Sequence, residues 1–139
     1  MVLSGMMGRM AAFLSGAWLD EMAAAARDDE ALRAATAGVS LTVQQVVTGT
    51  SGDDVAWYVR MADGDVQIVA GRAAGADVVI TESADTAAAV CRGGLSPAEA
   101  FASGRLKLGG RVGLLARHQH AFDRLAAALA TVHETTTYP

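Results

Sequence analysis

The sequence predicts an α+β domain in which a five-stranded, mostly antiparallel sheet lies between helical segments. Three observations predict it. Between Val39 and Thr81 apolar residues recur with a period of two, the spacing of half-buried strands. Before and after that stretch they recur at three and four residues, the spacing of amphipathic helices. Serine caps and glycine stops punctuate the later helical region at regular intervals. A length of 139 residues accommodates one domain, taken as residues 1–139, with a core of useful size.

The first segment reads as helical over roughly 7–36, from Met7 to about Ala35, with a break at the acidic run Asp28-Asp29-Glu30. Leu14, Trp18, Leu19 and Met22 form its apolar face. The acidic run reads as a second helix start, because carboxylates are favoured in a first helical turn. Gly38 closes the region.

Four strands follow. Val39, Leu41 and Val43 alternate with Ser40, Thr42 and Gln44, as expected of a strand with one wet face. After the polar turn from Gly49 to Asp54, Val55, Trp57, Val59 and Met61 make a second strand. Asp63-Gly64 is a two-residue hairpin signal, since both central positions of that turn need positive φ. Val66 to Ala70 and Asp77 to Thr81 supply two more strands, and the four are expected to form an antiparallel meander.

Ser83 caps a helix that runs to about Arg92, where Gly93-Gly94 stops it. Ser96-Pro97-Ala98-Glu99 combines a serine cap, a proline at the first helical position and a glutamate three residues after the cap. That short helix ends at Gly104, and a brief strand, Arg105 to Leu108, precedes Gly109-Gly110. One long helix from about Val112 to His133 closes the domain, with Leu115, His118, Phe122, Leu125, Leu129 and Val132 in a single stripe. The tail, 134–139, is expected to fray.

Composition narrows the function. Hydrophobic residues make up 52% and charged residues 19%, the balance of a folded globular chain. Aromatics reach only 5%, so the core is built from small and aliphatic side chains. A net charge of −4 argues against nucleic acid and anionic membranes as partners. Arg105, Lys107, Arg111 and Arg117 form a local basic cluster, read as a solvated strand edge and helix start. No apolar run approaches the roughly 20 residues that span a bilayer, so stable membrane insertion is not expected. The stretch from Ala11 to Leu19 resembles a signal core only weakly, with Arg9 before it and Asp20-Glu21 at once after it. A cytoplasmic location is expected, and the single Cys91, read as a small buried hydrophobe, fits a reducing compartment.

Catalytic patterns are absent. His118 and His120 stand two apart, so on a helix they face different ways and cannot share a metal. Gly104, Gly109 and Gly110 have phosphate-loop spacing but lack the lysine and the serine or threonine that hold phosphate and magnesium. No nucleophile elbow and no Cys–His pairing is visible. Neither cofactor nor metal is expected, and no catalytic residue is assigned.

The stretch Leu95-Ser96-Pro97-Ala98-Glu99-Ala100-Phe101-Ala102-Ser103-Gly104-Arg105-Leu106-Lys107-Leu108-Gly109-Gly110 resembles the signature of the sterol-carrier-protein type-two family. The preceding strands, the helix after the fourth strand and the helical N-terminal segment occur in that family's order, so the resemblance covers nearly the whole chain. It departs at Gly110, where relatives commonly carry an aspartate able to cap the last helix. The C-terminus also lacks a Ser-Lys-Leu type ending. The resemblance implies a sheet covered on one face by helices, with an apolar tunnel between them that takes acyl chains, lipids or sterols.

Candidate lining residues for such a tunnel are Trp57, Val59 and Ile68 on the strands, Phe101 on the short helix, Leu106 and Leu108 on the fifth strand, and Leu115, His118, Phe122 and Leu125 on the last helix. Each serves equally well as plain core. His118 reads as a core-edge histidine or as a polar group that orients a ligand head. An acyl chain burying about 350–400 Å² would gain roughly 9–10 kcal/mol, and association costs would leave affinities near the micromolar range. Two alternatives accompany the non-catalytic carrier. One is an enzyme acting on a hydrophobic intermediate, with His118, Tyr58 or an inward carboxylate as acid–base group. The other is an interaction or dimerisation module, since the closing stripe could pack on a second copy; the expected state is monomer or homodimer.

Overall fold

The computed structural model describes residues 11–138. Ser15 caps helix α1 (Gly16–Asp28), its hydroxyl accepting a hydrogen bond from the Trp18 amide at 3.2 Å. Asp29 caps α2 (Glu30–Ala35) in the same way, accepting from the Leu32 N–H at 2.8 Å, so the acidic run is the second helix start that the sequence predicts. The expected start at Met7 lies outside the described residues. Residues 11–15 are not helical, and Leu14 takes a φ of 68°, so it stands before the helix instead of on its face. Trp18, Leu19 and Met22 do form the buried face.

Five strands, β1 (Ser40–Thr48), β2 (Val55–Ala62), β3 (Asp65–Ala70), β4 (Val78–Ser83) and β5 (Leu106–Gly110), assemble in the order β3-β2-β1-β4-β5. The β2–β3 hairpin turns at Asp63 and Gly64, with φ of 47° and 88°, the left-handed pair that the Asp-Gly dipeptide favours. The four-strand meander is corrected, because β4 does not lie beside β3. It crosses to the far edge of β1 and pairs with it in parallel, while all other pairs are antiparallel.

Gln44 explains the crossing. The two-residue alternation assigns it to a wet face, yet it is only 4% exposed. Its amide N–H groups donate to the carbonyls of Trp57 (2.9 Å) and Gly71 (3.1 Å), and its side-chain oxygen accepts from the Ala73 amide at 2.8 Å. The β3–β4 connection is thereby held across the outer face of the sheet. Asp77 completes the docking by accepting from the Thr42 amide at 2.9 Å while its own amide donates to the Thr42 carbonyl.

The inward row, including Val43, Val47, Trp57, Val59, Ile68 and Val78, joins Trp18, Met22, Leu32 and Leu125 in one core cluster beneath the helices. Helix α3 (Ala84–Cys91) begins at Ser83, whose hydroxyl accepts from the Thr86 amide, and stops before Gly93. Helix α4 (Pro97–Ala102) carries the complete capping box between Ser96 and Glu99.

The expected single closing helix is two, α5 (Gly113–Arg117) and α6 (Gln119–Thr135). They part at His118, whose φ of −111° and ψ of 29° leave the helical region, and neither has a side-chain cap. Gly110, where an aspartate cap is common, has a φ of 80°, and a Cβ there would stand 2.5 Å from the Asp77 carbonyl oxygen. Only glycine fits that approach. On α6 the deepest row is Ala121, Leu125, Ala128 and Val132, with Phe122 and Leu129 half-buried beside it.

The tail does not fray, at least as far as Tyr138. Thr137 pairs through its backbone with Ala11 and Phe13 at 2.9 Å, and the Tyr138 ring lies 5.2 Å from that of Phe13. An apolar ring covering another ring explains why this end is held. Pro139 lies outside the described residues.

Candidate functional site

Beneath the helices, on the inward face of the sheet, is a chamber of about 150 Å³. Strands supply Gln45, Trp57, Val59, Ile68 and Glu82 to its wall; α1 supplies Trp18 and Met22; α3 supplies Ala87, Val90 and Cys91; α6 supplies Leu125, Leu129 and His133; Phe13 completes it. Trp18 packs edge-on to Trp57 at 5.3 Å, and Phe13 edge-on to Trp18 at 5.1 Å, so three rings brace one wall.

The chamber is not uniformly apolar. Strand alternation turns Val78, Ile80 and Glu82 inward, and Glu82 sits between Val47 and Leu106 in the register. Burial pushes the Glu82 carboxyl above its ordinary range, because the charged form loses water. The Cys91 thiol is pushed up to about 12, first by burial and then by the Glu82 charge, which makes it an unreactive thiol at neutral pH. Burial pushes the His133 imidazole down, toward its neutral form. Two buried polar atoms have no partner here, the Trp18 indole Nε1 and His133 Nδ1.

A groove of about 670 Å³ runs outside the chamber between α3, the start of α4, α6 and the tail. Val90, Cys91 and His133 line both spaces. At the groove, the Arg92 guanidinium lies 4.8 Å over the Tyr138 ring, and the Tyr138 hydroxyl donates to the His133 carbonyl at 3.4 Å.

Of the residues singled out from the sequence, Trp57, Val59, Ile68 and Leu125 line the chamber. Leu106 is buried and Leu108 half-buried on the inward row of β5, outside the lining. Leu115, His118 and Phe122 are half-buried and also outside it. Phe101 is corrected outright: it is 55% exposed, because α4 turns Ala100 inward against the sheet instead. His118 lies at the break between α5 and α6, and Tyr58 alternates onto the opposite face of β2 from the chamber, so neither reaches it. Arg105, Lys107, Arg111 and Arg117 are all exposed or nearly so, and Arg111 stands 3.8 Å from Asp77.

Sequence reading missed Phe13, Glu82, Cys91 and His133 as wall residues. Only Glu82 left a local signal, as the fifth residue of an alternating run whose other inward members are Val78 and Ile80. Among the described residues no cluster of histidine, cysteine and carboxylates could hold a metal, and no helix is long and apolar enough to cross a membrane.

A five-stranded mixed sheet with this order, roofed by helices over an inward chamber, defines a sterol-carrier-like α+β domain. A crystal structure of sterol carrier protein 2 superposes with a TM-score of 0.70 at 25% identity, covering 85% of this chain and 97% of that one. A conserved hypothetical protein of Thermus thermophilus, described as possibly a sterol carrier protein, gives 0.70 at 25% identity over 91% of this chain and 92% of its own. Sterol carrier protein 2 from Yarrowia lipolytica, at 19% identity, shares the fold, with a TM-score of 0.60 over 88% of this chain and 91% of that one. Among curated proteins no sequence match was found. The profile of the SCP-2 sterol transfer family matches residues 19–123, and the chain belongs to that family.

Proposed function

We propose that the protein is a non-catalytic carrier of a hydrophobic molecule, an acyl lipid or a sterol-like ring system, held in the chamber and the groove beside it. The observation that carries this reading is that Val90, Cys91 and His133 line both the inward chamber and the larger groove outside it, so that only these side chains stand where the two spaces meet. Alone, the chamber is smaller than the roughly 300–1,000 Å³ typical of ligand pockets, whereas the groove falls within that range. Membership of the SCP-2 sterol transfer family and the likeness to sterol carrier protein 2 support the same reading.

The test is a titration of the delipidated protein with the neutral apolar dye diphenylhexatriene, read by energy transfer from Trp18 and Trp57, which both line the chamber. Saturable binding near the micromolar range, displaced by unlabelled sterol or acyl lipid, is the expected result. Val90→Trp, at a side chain that lines both spaces, should weaken binding roughly tenfold by filling them. No saturable uptake of dye would overturn the carrier reading.

A further inference from the structure

A carrier that merely shelters apolar surface has no need of a carboxylate in its wall, yet Glu82 is turned inward by the register of β4 and lines the chamber. Among the described residues no salt bridge involves it, and neither lysine nor arginine lines the chamber. The other residues with polar side-chain atoms that line it are Gln45, Cys91, His133 and Trp18. Trp18 is 1% exposed, and its Nε1 is a donor without an acceptor. His133, which lines the same space, also has a buried Nδ1 without a partner.

A neutral hydroxyl suits this set better than a carboxylate or an alkyl end. A neutral hydroxyl both donates and accepts, so it can donate a hydrogen bond to Glu82 and still accept one from a neighbouring donor. A carboxylate only accepts, and beside Glu82 it meets a like charge in a poorly solvated space with no cation to offset it. An alkyl end placed against Glu82 would offer its carboxyl no hydrogen bond. Arg92 lines the groove and not the chamber, with its guanidinium against the Tyr138 ring.

We infer that Glu82 makes the chamber selective by head group, admitting an apolar molecule with a neutral hydroxyl and turning away the carboxylate anion of a free fatty acid. The inference rests on the carrier reading and narrows it. His133, pushed toward its neutral form by burial, and Cys91, held as a thiol, agree with a chamber that lacks a positive charge.

The experiment compares dodecanol with dodecanoate, equal in chain length, by quenching of Trp18 and Trp57 emission at slightly alkaline pH, with each kept below its solubility limit. Dodecanol should bind roughly tenfold or more tightly than dodecanoate, and Glu82→Gln should narrow that gap by strengthening dodecanoate. Equal affinities, or tighter dodecanoate, in the native protein would overturn the inference while leaving the carrier intact. A gap that persists unchanged in Glu82→Gln would remove Glu82 as its cause. If neither amphiphile binds and diphenylhexatriene does not bind either, the carrier reading itself has failed.

Discussion

At the scale of single residues, Glu82 and His133 should tilt the stability of the fold with pH in opposite directions. The folded Glu82 carboxyl holds its proton to higher pH than the unfolded one. Its contribution is therefore complete below the ordinary carboxylate range and is lost as pH rises through the raised value. His133 has a depressed folded value, so its contribution is present above the ordinary histidine range and fades as pH falls through the lowered one. Glu82→Gln should consequently be more stable than the native chain at neutral pH and nearly equal to it in acid. Urea denaturation across pH reads the difference, and a variant no more stable at neutral pH would mean that the charged carboxylate costs the fold nothing. Gln44 shows why some residues resist prediction. Its polarity pointed outward, correctly, but its three hydrogen bonds join it to segments remote in the chain, and no local pattern announces them.

Elements whose ends are decided within a few residues were legible in advance. Ser83, Ser96 with Glu99, Asp63-Gly64 and the second helix start at Asp29 all work through bonds spanning one turn, and each stands where the sequence puts it. The Ser96–Glu99 box can be tested directly: Ser96→Ala should cost about 1 kcal/mol by urea denaturation, with no effect on binding of an apolar dye. No loss would mean that Pro97 alone fixes the start of α4. Elements decided by remote contacts were not legible. The parallel placement of β4 depends on the docking of the crossing segment over Gln44, and periodicity of two says nothing of which neighbour a strand will choose. The break at His118 also escaped, because the apolar spacing runs straight through it while the backbone does not. For the site, Trp57, Val59 and Ile68 followed from alternation, whereas Gln45 and Glu82 were masked by their polarity and the α3 and tail contributions depend on how helices lie across the sheet.

For the whole molecule, the tail is part of the architecture. Thr137 closes a backbone pair with the segment before α1, and Tyr138 reaches both Phe13, in the chamber wall, and Arg92, at the groove. Ending the chain after Thr135 should remove about 2 kcal/mol of stability, roughly 6 °C in Tm. It should also speed release of a bound apolar dye in stopped-flow measurements, since Phe13 loses its cover. Unchanged Tm and release would show that the tail merely rests on the surface. Tyr138→Ala separates the ring from the backbone pairing: faster release with a smaller loss of Tm is expected.

The crossing of β4 to the far side of β1 also bears on how the chain assembles. β2 reaches β1, and β3 reaches β2, across short turns, but Thr42 and Asp77 meet from 35 residues apart. Closing a longer loop costs more entropy before any contact repays it, so the three-strand half has the advantage of nearness and β4 with β5 arrives against the steeper barrier. Glu82 travels with that late half. On that argument the interior is expected to be walled on its polar side only when folding is nearly finished.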